Sequence, residues 1–163
     1  MTPTLIIMKH LSVLWTMSFV LFLSCNKNSD NPTINEQDFL IFGHFYGECV
    51  GESCVETYKL TDVKLYEDTI DDYSGQILDF IELEDVLFEQ VNDLTDFFPN
   101  QLLSENDTVI GCPDCADGGG LFIQHSYNGN LKSWRIDQIQ ENVPSYLHDF
   151  INHVNEKIFL INN

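Results

Sequence analysis

The spacing of apolar and polar positions changes along this chain, and each change marks an element. From Phe39 to Tyr46 nearly every position is apolar (Phe-Leu-Ile-Phe-Gly-His-Phe-Tyr), the pattern of a strand covered on both faces. Gly47 to Ser53 is rich in turn residues. Cys54 to Leu60 then resumes as a strand with Val55, Thr57 and Tyr58, so the pair predicts a hairpin. Val63 to Tyr66 predicts a third strand, and Glu67 to Gln76, acidic and carrying Gly75, a loop. From Phe80 the period becomes helical. Phe80, Leu83, Leu87, Val91, Leu94 and Phe98 fall on one face of a helix that stops before Pro99.

Ser104 to Asp107 turns the chain into a short strand at Thr108 to Gly111. Leu121–Tyr127 and Leu131–Ile136 flank Asn128-Gly129, a strong hairpin signal. A type I′ turn there sets Ile123 against Trp134 and Leu121 against Ile136. Phe122 then opposes Arg135, and Gln124 opposes Ser133, on the other side. This register predicts one face in the core and one face wet. A last helix runs from Pro144 to about Leu160, with Asn142 as a candidate cap and Pro144 in its first turn. Its apolar stripe is Leu147, Phe150, Ile151, Val154 and Ile158. The expected class is α+β: an antiparallel sheet of about five or six strands packed on one face by two helices.

One apolar run stands apart from this domain. Lys9 and His10 precede an uninterrupted stretch from Leu11 to Leu23, which ends in Ser24 and Cys25. The stretch is about 13 residues, whereas a helix crossing a bilayer needs roughly 20. The length suits the central region of an export signal. Phe22-Leu23-Ser24-Cys25 resembles the lipobox of a bacterial lipoprotein, although Phe22 stands where most lipoboxes carry an aliphatic residue. The resemblance implies that residues 1–24 are a cleaved signal peptide, that Cys25 carries acyl chains such as palmitate, and that residues 25–36, polar and containing Pro32, are a tether. A single globular domain over residues 37–163 follows, outside the cytoplasm in the bacterial cell envelope and held to the membrane by lipid. Met8 is the more ordinary start for such a signal than Met1. A plain secreted protein and a retained anchor are the alternatives.

Composition narrows the partners. Seven Lys and Arg stand against 26 Asp and Glu, a net charge of −19. Only Lys9 of the basic residues lies in the signal and no acid does, so the mature part is one unit more negative. Such a chain does not track phosphates, which rules nucleic acid out as the expected partner. It also gains nothing from anionic lipid, so membrane attachment falls to the acyl chains.

With Cys25 assigned to lipid, Cys49, Cys54, Cys112 and Cys115 remain, spaced as Cys-x4-Cys and Cys-x2-Cys in glycine-bearing loops. Disulfides, local or crossed, lead in an exported chain. Zinc is the alternative cofactor, because Cys112-Pro113-Asp114-Cys115 resembles a zinc-ribbon knuckle. Ala116 stands where a knuckle usually has glycine, and the first pair is spaced too widely. A redox Cys-x-x-Cys is a third reading, weakened because Ala116 to Gly120 cannot hold the helix that lowers a thiol pKa.

Asp114 and Asp117, in the glycine-rich loop Asp114 to Gly120, are weak ligand-binding candidates. Counting a calcium loop from Asp71 puts Glu82 at its end but Tyr73 and Gly75 at the wrong places, so a solvated acidic loop is the better reading. His44 and His125 fall on strands near the expected cysteine loops, more as structural residues than as ligands. His148 and His153 are spaced too far apart to share a helix face as a metal pair. The sequence contains no Gly-x-Ser-x-Gly elbow, His-Glu-x-x-His or phosphate-cradling glycine loop. Tyr46 to Cys54 and Gly111 to Gly119 resemble segments of small uncharacterised lipoprotein families, a likeness that attaches no activity. The expected function is therefore a lipid-anchored, non-catalytic envelope module that binds a protein, a glycan or a small ligand, or serves structurally. The alternative is a thiol redox or metal-binding protein using the two cysteine loops.

Overall fold

The structure is a computed structural model that describes residues 38–163. The signal segment, Cys25 and the tether lie outside the described residues. Seven strands form one mixed sheet: β1 (Phe39–Phe45), β2 (Val55–Leu60), β3 (Leu65–Asp68), β4 (Phe80–Glu82), β5 (Val109–Ile110), β6 (Gly120–Tyr127) and β7 (Asn130–Asp137). Their order across the sheet is β4-β3-β2-β1-β6-β7-β5. The α+β class holds, with a larger sheet than expected. It is antiparallel except at its β5 edge, where Val109 and Ile110 run parallel to Arg135 and Ile136. Two helices, α1 (Asp85–Val91) and α2 (His148–Ile161), pack on one face.

β1 is the centre of the fold. It pairs with β2 on one side and β6 on the other, so its backbone groups are shared between neighbouring ladders. Leu40 and Phe42 point towards the helices, while Ile41 and Phe45 point the other way, and all four are buried. The nearly continuous apolar run of this segment therefore has the physical cause assigned to it. The β6–β7 hairpin also forms as expected, with Ile123 opposite Trp134 and Phe122 opposite Arg135. Asn128 and Gly129 both have positive φ (50° and 77°), as a type I′ turn requires.

The face expected to be wet is covered in part: Phe122 is buried, while Gln124, Ser133 and Arg135 stay half-exposed. The connection between β3 and β4, residues 69–79, folds back over it. Leu78 joins Ile41, Phe45, Val55 and Phe122 in a second apolar cluster there. Gly75, at φ 68°, sits against the Phe122 ring so closely that a Cβ would lie 2.8 Å from it. The connection is exposed along most of its length, as a solvated acidic loop would be, but its carboxylates order it. Asp68 is buried and accepts hydrogen bonds from the amides of Asp71 (3.0 Å) and Asp79 (2.6 Å). Asp72 accepts from the amides of Ser74, Gln76 and Ile77, and these bonds, led by the Ser74 hydroxyl, hold its pKa down to about 2.

The helical reading from Phe80 is corrected at both ends. Phe80–Glu82 is strand β4, hydrogen-bonded to β3, and Phe80 belongs to the second cluster rather than to a helix face. Lys64 secures the step from strand to helix by pairing with Glu82 (2.8 Å) and Asp85 (2.7 Å) at once. α1 itself is short. Past Val91 the chain tightens into 3₁₀ turns at Asn92–Phe97 and Asn100–Ser104, on either side of Pro99. The apolar spacing survives this change, since Leu83, Leu87, Val91, Leu94 and Phe98 all still meet the main core.

The third strand begins at Leu65, because Thr61 turns the chain first, its hydroxyl oxygen accepting from the amide of Lys64 (3.0 Å). α2 begins at His148, after a 3₁₀ turn at Ser145–Leu147. Asn142 does not cap it; its side-chain amide donates to Asp137 (2.7 Å). The stripe of Leu147, Phe150, Ile151, Val154 and Ile158 is buried as expected.

Lys157 joins the two helices. Its stem is buried, and its ammonium donates to the Gln90 carbonyl (3.1 Å) while pairing with Asp93 (2.8 Å). Lys157→Met keeps the packing of the stem and removes both polar contacts. The expected loss is about 1–3 kcal/mol, read as a lower urea midpoint at unchanged m-value. A midpoint equal to that of the wild type would mean that the ammonium does not tie the helices.

Candidate functional site

The four cysteines pair locally. Cys49 bonds Cys54 across a Cα separation of 5.5 Å, and Cys112 bonds Cys115 across 5.4 Å. The pairing is local rather than crossed. The first bridge closes the connection between β1 and β2, where the Tyr46 amide donates to the Cys54 carbonyl (2.8 Å) and Gly51 takes φ 124°. The second lies between β5 and β6. Its stem is held by Asp137, a buried carboxylate that accepts from the amides of Cys112 (3.0 Å) and Ile139 (2.8 Å) as well as from Asn142.

These two loops meet at the same end of the sheet, and Asp114 joins them. One carboxylate oxygen accepts from the Gly47 amide (2.9 Å) of the first disulfide loop and from the Tyr73 hydroxyl (2.8 Å). The other accepts from the Gly119 amide (3.2 Å), while the Asp114 amide donates back to the Gly119 carbonyl (2.7 Å). Three connections that are remote in sequence are therefore fixed to one side chain. Gly47 is required at its place, because a Cβ there would collide with the Asp114 carboxylate. Arg135 completes the group from the sheet. Its guanidinium lies 3.6 Å from the Phe45 ring centroid and 4.8 Å from that of Tyr73, and it donates to the Tyr73 carbonyl (2.7 Å).

The electrostatics follow from these contacts. The Tyr73 hydroxyl, the two backbone amides and the Arg135 charge hold Asp114 below the usual carboxylate range. The same hydrogen bond to Asp114 raises the Tyr73 phenol, so Tyr73 stays a neutral donor. Beside this junction opens a cleft of about 640 Å³, lined by Tyr46, Glu48, Val55, Asp71, Tyr73 and Asp117 among others. Its walls combine two aromatic rings with exposed or half-exposed carboxylates.

Of the residues singled out from the sequence, Asp114 lies at the centre of the site, where it accepts three hydrogen bonds. Asp117 is exposed at the cleft. His44 does lie by the first loop, its Nε2 donating to the Ser53 carbonyl (3.1 Å). His125 does not lie near the cysteines. It sits far along β6, stacked on Phe98 at 4.3 Å, where burial holds its pKa down and keeps it neutral. The spacing of the cysteines gave no sign of Tyr73, Arg135, Gly47 or Asp137. The alternation that puts Arg135 on the outer face was readable, but nothing local showed that the connection of residues 69–79 would cross to meet it. Among the described residues no group of His, Cys, Asp and Glu forms a metal cage. No family model matches the sequence, and no curated protein matches it either.

Because the folded pKa of Asp114 is lowered, its bonds stabilise the site above the unfolded value of 3.8, and that contribution is lost as pH falls through the folded value. The aromatic signals of Tyr73, followed by NMR, are expected to keep one environment down to about pH 4 and to change below it. Asp114→Asn is expected to show the altered environment at every pH. A wild-type profile that is flat into strong acid would contradict this role for the carboxylate.

Proposed function

We propose that this chain is a bacterial lipoprotein whose folded domain is a non-catalytic binding module of the cell envelope. Support for the address comes from the order of Lys9, the apolar run and the Phe22-Leu23-Ser24-Cys25 lipobox. Two disulfides suit an exported chain, because the cytosol keeps thiols reduced. Among the described residues no helix is long and apolar enough to cross a membrane; in this reading the acyl chains on Cys25 make the attachment.

The binding reading rests on the cleft between the two disulfide loops. Asp114, the carboxylate at its centre, has three hydrogen-bond donors that keep it ionised and in place, which suits a wall and not a proton carrier. Around it the rings of Tyr46 and Tyr73 offer flat apolar faces with polar ends, and Glu48, Asp71 and Asp117 offer acceptors. Such a wall favours hydroxyl-rich or amine-bearing ligands, glycan or protein, over anionic ones.

Two measurements test the reading. Intact-mass analysis of the protein from a lipoprotein-processing bacterium is expected to begin at an acylated Cys25, and Cys25→Ser to abolish the acyl mass. A native chain that keeps residues 1–24 and carries no acyl group would remove the anchor. For the cleft, glucosamine oligomers and oligolysine serve as probes, with binding expected to shift the NMR signals of Tyr46 and Tyr73. Tyr73→Ala is expected to weaken that binding about tenfold. Shifts confined to other surfaces would overturn the cleft as the site.

A further inference from the structure

We infer that the Cys112–Cys115 bridge is a thiol-exchange site, and that opening it releases the wall of the cleft. Both of its cysteines are exposed, whereas in the other bridge Cys49 is exposed and Cys54 is buried. The enclosed Asp114 and the residues just past the bridge are held in an unfavourable backbone. Asp114, Ala116 and Asp117 all have left-handed φ (63°, 54° and 58°). Aspartates tolerate this region through local hydrogen bonds, but Ala116 has no side chain that could offset it. Exposure and strain are the two properties that make a disulfide open to exchange.

The reaction needs only an external thiol. Its thiolate attacks one sulfur of the pair, the S–S bond breaks, and the other sulfur leaves as a thiolate. A second external thiolate then displaces the mixed disulfide. The chain gains two electrons and, on protonation, two thiols, and the external thiol ends as its own disulfide. No helix follows Cys112 to lower its pKa, since Ala116 breaks the 3₁₀ turn at Cys115–Asp117. The chain therefore takes the part of a substrate of thiol exchange, not of an oxidoreductase.

The consequence lies in Asp114, one of the two residues the bridge encloses. Its contacts with Gly47 and Tyr73 depend on the left-handed turn. Once the ring opens, residues 114–117 can return to negative φ, and the carboxylate leaves both partners. The stem stays in place, because the Cys112 amide is held by buried Asp137. The inferred effect is local: one wall of the proposed binding cleft is freed while the sheet stays folded. Its effect on a ligand rests on the binding reading above, but the readouts below need no ligand.

The full chain is equilibrated in graded glutathione buffers, quenched with acid, alkylated and mapped by peptide mass. Cys112 and Cys115 are expected to open at a glutathione ratio at least about tenfold less reducing than Cys49 and Cys54 require. Ala116→Gly, which removes the strain without touching sulfur, is expected to make the bridge about fivefold or more harder to reduce. Hydrogen exchange at the Gly47 amide is expected to quicken at least about tenfold once residues 112 and 115 are reduced. The same quickening is expected in the folded Cys112→Ser, Cys115→Ser double variant. Three results would overturn the inference: both bridges opening together or the Cys49 bridge first, no shift with Ala116→Gly, or unchanged Gly47 exchange on reduction. Should the double variant fail to fold, the reduced wild type decides.

Discussion

A strand that is apolar on both faces cannot stand at the edge of a two-layer domain, and β1 is such a strand. Leu40 and Phe42 need one cover, and Ile41 and Phe45 need another. At about 25 cal/mol for each Å² of apolar surface removed from water, leaving either face open would cost several kcal/mol. The helices supply the first cover. The second comes from the connection between β3 and β4, whose Leu78 packs on that face. Covering Phe45 brings Tyr73 over Arg135, and from there its hydroxyl reaches Asp114. The junction that holds the cleft is thus a consequence of how the central strand is buried.

Acidity takes on a second meaning in this light. A net charge of −19 reads from composition as solvation and self-repulsion. Some of the carboxylates do different work. Asp68, Asp72, Asp114 and Asp137 each accept at least one backbone amide in a connection between elements, and Asp68 and Asp137 do so while buried. Loops rich in amides that meet no ladder need acceptors, and a short carboxylate satisfies more than one at a time. Three of the few basic residues are placed where they have two or more partners. Lys64 pairs with Glu82 and Asp85, Lys157 joins the helices, and Arg135 lies between two rings.

What was legible in the sequence followed from period and turn chemistry. β1, the β6–β7 register and the stripe of α2 were each specified by residues next to one another, and each formed as those residues require. The helix beginning at Phe80 failed for a definable reason. Phe80 to Phe98 carries a helical apolar period, but Phe80 could be buried equally well on the opposite face by pairing with Asp68, and that pairing also satisfies the β3 edge. Period alone does not distinguish the two when the strand is this short. The candidate site was readable only in its loops. Asp114 and the cysteines declare themselves by spacing, whereas Tyr73 and Arg135 meet Asp114 through a chain reversal that no local pattern marks.

The disulfides close rings too small to carry the fold. On the chain-entropy account, a bridge over so few residues contributes about 2 kcal/mol, against about 4 for the crossed pairing that is not adopted. A domain with a buried main core running from β1 to α2 does not depend on that amount. Local bridges must then matter for shape, and both lie where shape is needed, on the connections that face each other across the cleft. They differ in what surrounds them. The first is backed by Val55 and by the buried Cys54, so opening it disturbs the second apolar cluster. The second projects from a stem fixed by Asp137, so opening it disturbs only the turn that carries Asp114. A covalent link that shapes a site without supporting the core is one a cell can break and remake while the protein stays folded.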